Sequence, residues 1–182
     1  MAAEVLDLES LAPRIGPRQR LICADLGTKT IGLALSDVER RIATPLETIK
    51  RTKFSKDAAR LVALMDKFDC AALIIGLPLN MDGSEGPSAQ AARAFARNFA
   101  SLSGWPCVFW DERLSTAAMA RSLIAQDASR AKRAEVIDKM AAAFILQGAL
   151  DRLRSLAAQP QTGSPVSKGV SRRGPWQRSD VC

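Results

Sequence analysis

The chain has 182 residues, of which 47% are hydrophobic and 25% are charged, and its formal net charge is +7. This size fits one folded domain with room for flexible ends. The chain contains no histidine, which excludes imidazole as a metal ligand or a general base.

The sequence shows no secretory or membrane segment. The first ten residues carry three acids and lack a long apolar core, and the most apolar run, residues 71–79, is too short to span a bilayer. The cysteines form no Cys-x-x-Cys pair and are expected to be reduced. We therefore expect a cytoplasmic protein with no membrane partner.

The first half of the chain predicts three closely spaced strands after a flexible lead-in, residues 1–19. Apolar runs of strand length are separated by short polar turns, at residues 21–26, 31–37 and 45–50. Because the links are short, we expect these strands to form an antiparallel meander.

The second half alternates helices with strands. Predicted helices cover 54–68, 87–102, a segment from Ser115 or Thr116 to residue 126, and 135–157; strands cover 71–75 and 107–110, and a basic loop covers 127–133. Strands that are separated by helices favour parallel addition to the sheet. The pattern predicts an α/β fold in residues 20–158, a mixed five-stranded sheet with helices on both faces. Residues 159–182 form a basic stretch rich in Pro, Gly and Ser, and we expect them to be a disordered tail.

Acidic residues follow two of the predicted strands and lie on the last helix. Asp25 ends the first strand, Asp111 and Glu112 follow the last one, and Asp138 lies among small apolar residues of the long helix. A buried carboxylate is costly unless it is compensated, and a shared cation would compensate several at once. Carboxylates without histidine favour Mg²⁺ or Mn²⁺, ions that commonly act on phosphates.

Each carboxylate also has an ordinary structural interpretation. Asp25 could cap the turn that follows it, Glu112 could pair with Arg113, and Asp138 could pair with Arg133 or with the helix dipole. The joint occurrence of the three favours a site over these separate roles.

Two further features are compatible with a phosphate-containing partner. The Gly-rich loop of residues 76–86 follows a central strand and could cradle phosphate, although it lacks the Gly-Lys-Ser/Thr ending of a Walker A loop. Basic residues adjoin the acidic positions and suit a phosphodiester backbone. The predicted nucleic-acid contacts are Lys29, Asn80, Arg113, Arg130, Lys132 and Arg133.

Four ordered segments resemble the motifs of the bacterial YqgF family, whose members are described as pre-16S rRNA nucleases and as Holliday-junction-resolvase-like proteins of the RNase H-like fold. The segments are residues 25–34, 76–83, 111–116 and 132–142. Four motifs in one order are far more specific than any one alone. The resemblance covers about residues 20 to 155.

The resemblance implies a metal-dependent endonuclease that processes the ends of precursor 16S ribosomal RNA. Its acidic catalytic and metal-binding residues fall on Asp25, Glu112 and Asp138, with Asp111 standing beside Glu112 as an open alternative. Its expected cofactor is Mg²⁺ or Mn²⁺, and its expected partners are structured precursor rRNA and ribosomal particles. One departure is Thr30, at a position where the family motif usually has Arg; the neighbouring Lys29 is expected to compensate.

Two other functions stay open. A Holliday junction resolvase would act on four-way DNA and would need a homodimer, because it cuts at two symmetric positions. A non-catalytic RNA- or ribosome-binding module could keep the fold without the chemistry, as a monomer or a homodimer. An actin-like ATPase would need a second such domain, for which the chain is too short.

Overall fold

The computed structural model describes residues 5–114 and 130–158, with side chains given for residues 5–113 and 136–158. The helix predicted from Ser115 or Thr116 to residue 126, the first part of the predicted basic loop and the predicted tail all lie outside the described residues. The division into lead-in, domain and tail stays a prediction.

A mixed sheet forms the centre of the structure. Its order is β1-β6-β5-β2-β3-β4, and β2, β3 and β4 are antiparallel neighbours, whereas β5 adds in parallel to β2 and β6 adds in parallel to β5. This confirms the predicted α/β fold with an antiparallel start. The strands are β1 (Val5–Leu6), β2 (Arg20–Leu26), β3 (Thr30–Ser36), β4 (Ala43–Lys50), β5 (Cys70–Leu77) and β6 (Cys107–Asp111).

Helices cover both faces of the sheet. The helices of the described residues are α1 (Leu8–Leu11), α2 (Phe54–Lys67), α3 (Pro87–Ser103) and α4 (Arg130–Ala158), with 3₁₀ turns at Ala12–Arg14 and Glu112–Leu114. Helices α2 and α3 share one apolar core with the sheet, and α1 and α4 share the other. Within the described ranges, none of these helices has the length and apolarity that a membrane crossing needs.

Two element predictions were wrong. The sheet has six strands instead of five, because Val5–Leu6 pairs in parallel with β6; a two-residue strand is too short to give an alternating pattern. Helix α4 begins at Arg130, so the second part of the predicted loop is helical. Its Arg, Ala and Lys residues are good helix formers, but they give no apolar periodicity to reveal a helix.

Alternation along β2 decides which side chains face α4. Ile22 and Ala24 belong to the core with α2 and α3, whereas Leu21 and Cys23 belong to the core with α4. Because successive side chains of a strand point to opposite faces, Asp25 follows Leu21 and Cys23 onto the α4 face.

Helix α4 approaches β3 closely because Gly32 has no side chain. A Cβ built on Gly32 would lie 2.1 Å from the backbone oxygen of Asp138 and 2.8 Å from the backbone nitrogen of Lys139. Both atoms belong to the backbone of α4, so a side chain at residue 32 could be accommodated only if the helix moved.

We expect Gly32→Ala to destabilise the fold by about 3 kcal/mol, because overpacking against a backbone cannot be relieved by a side-chain rotation. Chemical denaturation of wild type and variant measures this loss. Gly86→Ala is the matched control, since its Cβ would meet only the Asn80 side chain at 3.9 Å; it should cost less than about 1 kcal/mol. Equal losses in the two variants would contradict the close-approach argument.

Candidate functional site

The strand order brings the predicted acidic positions to one end of the sheet. β5 lies between β2 and β6, and all three run parallel. Asp25 is 9% exposed and pairs with Gly32 of β3. Ala24 pairs with Ile75, so Asp25 and Gly76 are the next residues along two adjacent strands. Gly32 and Gly76 therefore flank Asp25 on either side.

Glu112 reaches this position from the 3₁₀ turn that directly follows β6. A Cβ built on Gly76 would lie 2.7 Å from Oε1 of Glu112 and 2.8 Å from Cδ1 of Ile145. The missing side chain at Gly76 thus leaves the space that the Glu112 carboxylate occupies. The structure brings Glu112 to the α4 face of the sheet, as the site prediction requires.

The buried Cys23 thiol is within electrostatic range of both carboxylates. Burial raises the pKa of Cys23 well above its ordinary value, and the negative charges of Asp25 and Glu112 raise that pKa further. Both carboxylates are therefore close enough to act on one thiol, which lies two residues before Asp25 on the same face of β2. This supports the convergence of Asp25 and Glu112.

Asp138 approaches from the other side, on α4. Its backbone oxygen lies over Gly32, the cross-strand partner of Asp25. Its carboxylate Oδ2 accepts a hydrogen bond of 2.5 Å from the hydroxyl of Thr30, the first residue of β3. Helix α4 thus places the Asp138 backbone against Gly32, the residue that pairs with Asp25.

Asp111 is engaged in a different interaction. Both of its carboxylate oxygens accept hydrogen bonds from the Arg113 guanidinium, at 2.6–3.1 Å. The hydrogen bonds from Arg113 lower the pKa of Asp111, against the raising effect of burial. Arg113 also lies near Gly83 and Asp82 of the loop after β5. This geometry favours Glu112 over Asp111 as the third acid of the site.

The predicted nucleic-acid contacts are placed unevenly. Lys29 is exposed in the turn between β2 and β3, and Arg113 is exposed beside Asp111. Asn80 is exposed in the loop after β5, where its amide donates to the Ser84 hydroxyl at 2.8 Å. Arg130, Lys132 and Arg133 lie in the first turns of α4, and their side chains are outside the described part. Their nucleic-acid roles stay predictions.

The donor chemistry of the site suits a hard cation, since Asp25, Glu112 and Asp138 offer only carboxylate oxygens. The glycines at positions 32 and 76 also keep bulk away from these carboxylates. As the side chains stand, however, no three Asp, Glu, Cys or His residues within 5–114 and 130–158 form a group that could hold a metal ion. The three-ligand set therefore stays a prediction that the shared location supports.

The sequence did not reveal the structural roles of three residues in this region, although Thr30 and Gly76 belong to motifs noted there. Gly32 and Gly76 admit Asp138 and Glu112, and Thr30 donates to Asp138. A glycine inside a strand is a known signal of close approach by another group, so both glycines could have been found. The bond from Thr30 to Asp138 could not have been found, because the two residues are 108 positions apart in sequence.

The pairing of Asp111 with Arg113 predicts a pH-dependent contribution to stability. A lowered folded-state pKa means that the contribution is present above the ordinary value of 3.8 and is lost as the pH falls below it. At pH 7 we expect the free energy of unfolding of wild type to exceed that of Asp111→Asn by less than about 1 kcal/mol, because the pair is partly exposed. Unfolding at a series of pH values should show this difference closing below pH 3.8; a constant difference would contradict the pairing.

Comparison with known proteins finds relatives that cover most of this chain. A protein 72% identical over 158 residues, which cover 87% of this chain and 98% of the relative, is named "Putative pre-16S rRNA nuclease" in Methylocella silvestris. A relative of the same name in Rhodopseudomonas palustris is 58% identical over 162 residues, 89% of this chain and 99% of its own length.

Among solved structures, RuvC of T. thermophilus in complex with a Holliday junction substrate is similar at a TM-score of 0.49 and 17% identity, over 75% of this chain and 97% of that one. The sequence model of the RuvX family, described as Holliday junction resolvase, matches residues 19–152. Because this match spans well over half of the chain, from β2 into α4, this chain belongs to the RuvX family.

Proposed function

We propose that the protein is a metal-dependent endonuclease that hydrolyses phosphodiester bonds and processes the ends of precursor 16S ribosomal RNA. The observation that supports this proposal is the pair of glycines beside Asp25: the Asp138 backbone lies over Gly32 of β3, and the Glu112 carboxylate lies at Gly76 of β5. The names of the curated relatives support the choice of RNA substrate.

Each of the three carboxylates has a definite place in this proposal. Asp25 and Glu112, which both act on the Cys23 thiol, would hold Mg²⁺ or Mn²⁺, and Asp138 would contribute from α4. A bound divalent ion would supply an activated water and neutralise charge on the scissile phosphate. The chain contains no histidine, so the carboxylates are also the groups available to orient the attacking water.

The substrate would lie along the edge where the loops after β2, β5 and β6 meet. Lys29, Asn80 and Arg113 are exposed there, and Arg130, Lys132 and Arg133 belong to the start of α4. Positive groups around an acidic centre attract a phosphodiester backbone without reading its sequence. The net charge of +7 is consistent with a polyanionic partner, precursor rRNA alone or within a ribosomal particle.

Replacing a proposed ligand should abolish cleavage without abolishing binding. We expect Asp25→Asn and Glu112→Gln to cut a labelled 16S rRNA precursor about 1,000-fold more slowly than wild type, a loss of about 4 kcal/mol of transition-state stabilisation. Cleavage by wild type should require Mn²⁺ or Mg²⁺ and stop with a chelator. Gel shifts of the same RNA measure whether each variant still binds.

Asp111→Asn is the matched control for Glu112→Gln, because it removes the neighbouring carboxylate, which is bound to Arg113. We expect this variant to stay within about threefold of wild type, since loss of a partly exposed ion pair costs little. Undiminished cleavage by Asp25→Asn would overturn the proposal. Metal-independent RNA binding with no cleavage by wild type would favour a binding module instead.

A second candidate function is cleavage of four-way DNA junctions, which the description of the matching family favours. Symmetric cutting needs two copies of the site, so this function requires a homodimer. We expect a resolvase to elute as a dimer in size-exclusion chromatography with light scattering and to cut a synthetic junction in paired strands. A strictly monomeric protein that cuts RNA but leaves the junction intact would exclude this function.

A further inference from the structure

Thr30 connects the sheet to the helix that carries Asp138. Its hydroxyl donates to Oδ2 of Asp138 at 2.5 Å, and the bond joins two partly buried side chains. Thr30 occupies the position where we expected the family's Arg. A short neutral hydroxyl therefore contacts the carboxylate at a place where the usual residue would be a long cation.

The backbone around Thr30 holds its hydroxyl in place. Thr30 pairs with Lys50 across β3 and β4, so its main chain belongs to the sheet. A Cβ on Gly27 would lie 2.9 Å from the backbone oxygen of Thr30 and 3.3 Å from its hydroxyl oxygen, so the preceding turn closes tightly on this residue. As a β-branched residue, Thr also has few χ1 rotamers. The donor is thus preorganised toward Asp138.

The bond restrains one carboxylate oxygen and leaves the group able to accept elsewhere. A carboxylate has two oxygens and about four lone-pair directions, so a hydroxyl on Oδ2 does not exhaust it. Hydrogen bonds to an ionised acceptor are also stronger than those between neutral groups. Partners of this kind orient metal ligands in many proteins, and their loss typically weakens metal affinity by about 10- to 100-fold.

We propose that Thr30 is a positioning residue: its hydroxyl sets the orientation of the Asp138 carboxylate toward the divalent ion proposed for this site. The inference rests on the proposed function in that Asp138 acts as a ligand. It adds a residue that touches neither the ion nor the substrate and that acts through Asp138 alone.

The test compares Thr30→Val, which keeps the shape and removes the hydroxyl, with Thr30→Ser, which keeps the hydroxyl. Mn²⁺ affinity is measured directly by electron paramagnetic resonance of free Mn²⁺, with no substrate present. We expect Thr30→Val to bind Mn²⁺ about 10- to 100-fold more weakly than wild type and Thr30→Ser to stay within about threefold. The Mn²⁺ concentration needed for half-maximal RNA cleavage should rise in parallel in Thr30→Val.

A double-mutant cycle with Asp138→Asn separates positioning from a general effect on packing. On the Asp138→Asn background, Thr30→Val should change Mn²⁺ affinity by less than about twofold, because the residue through which it acts is already altered. Thermal unfolding of each variant is the folding control, and Thr30→Ala replaces Thr30→Val if the valine variant does not fold.

The outcomes distinguish this inference from the proposed function. Wild-type Mn²⁺ affinity in Thr30→Val, or equal weakening in Thr30→Ser, overturns the role of Thr30 and leaves the nuclease intact. Weakened binding in Thr30→Val with rescue by serine supports it, even if neither RNA nor junction DNA is cut and the proposed function fails. Absence of Mn²⁺ binding by wild type overturns both.

Discussion

The structure depends on the close approach of α4 to the sheet at Gly32, where the backbone of the helix packs directly against the backbone of β3. A Cβ there would lie 2.1 Å from the Asp138 oxygen, so the position of Asp138 follows from the absence of a side chain on β3. The same helix packs over Gly76 through Ile145, and its own Gly148 lies against the Trp110 ring of β6. Small residues on both surfaces therefore set how deeply α4 sits across the sheet.

The site follows from this placement together with the strand order. Asp25 is the next-to-last residue of β2, Glu112 follows β6, and Asp138 belongs to α4, so each acid comes from a different part of the chain. Parallel addition of β5 and β6 beside β2 brings the first two to one end of the sheet. The helix then brings the third over Gly32. The topology thus brings the chain segments that carry the three acids to one end of the sheet, and the glycines allow their close approach.

Much of this arrangement could be predicted from the sequence, because strong apolar periodicity and glycine punctuation marked the main strands and helices. Strand β1 was not predicted, since two residues cannot display alternation. The start of α4 was not predicted either, because the sequence of its first turn has no apolar side. The preference for Glu112 over Asp111 comes from the structure, in which the Arg113 guanidinium donates to the Asp111 carboxylate. The bond between Thr30 and Asp138 also needed the structure, because local pattern carries no information about a partner so distant in the chain.

Burial and the two neighbouring acids also affect how the sulfur of Cys23 behaves. Thiols react with oxidants and electrophiles as thiolates, and burial together with the charges of Asp25 and Glu112 opposes loss of the thiol proton. The same carboxylates thereby make the buried sulfur less reactive. Cys23 is consequently protected from oxidation in the fold. An exposed, acidic thiol at this position would be oxidised to a bulky, charged derivative, which would disrupt the packing around Asp25.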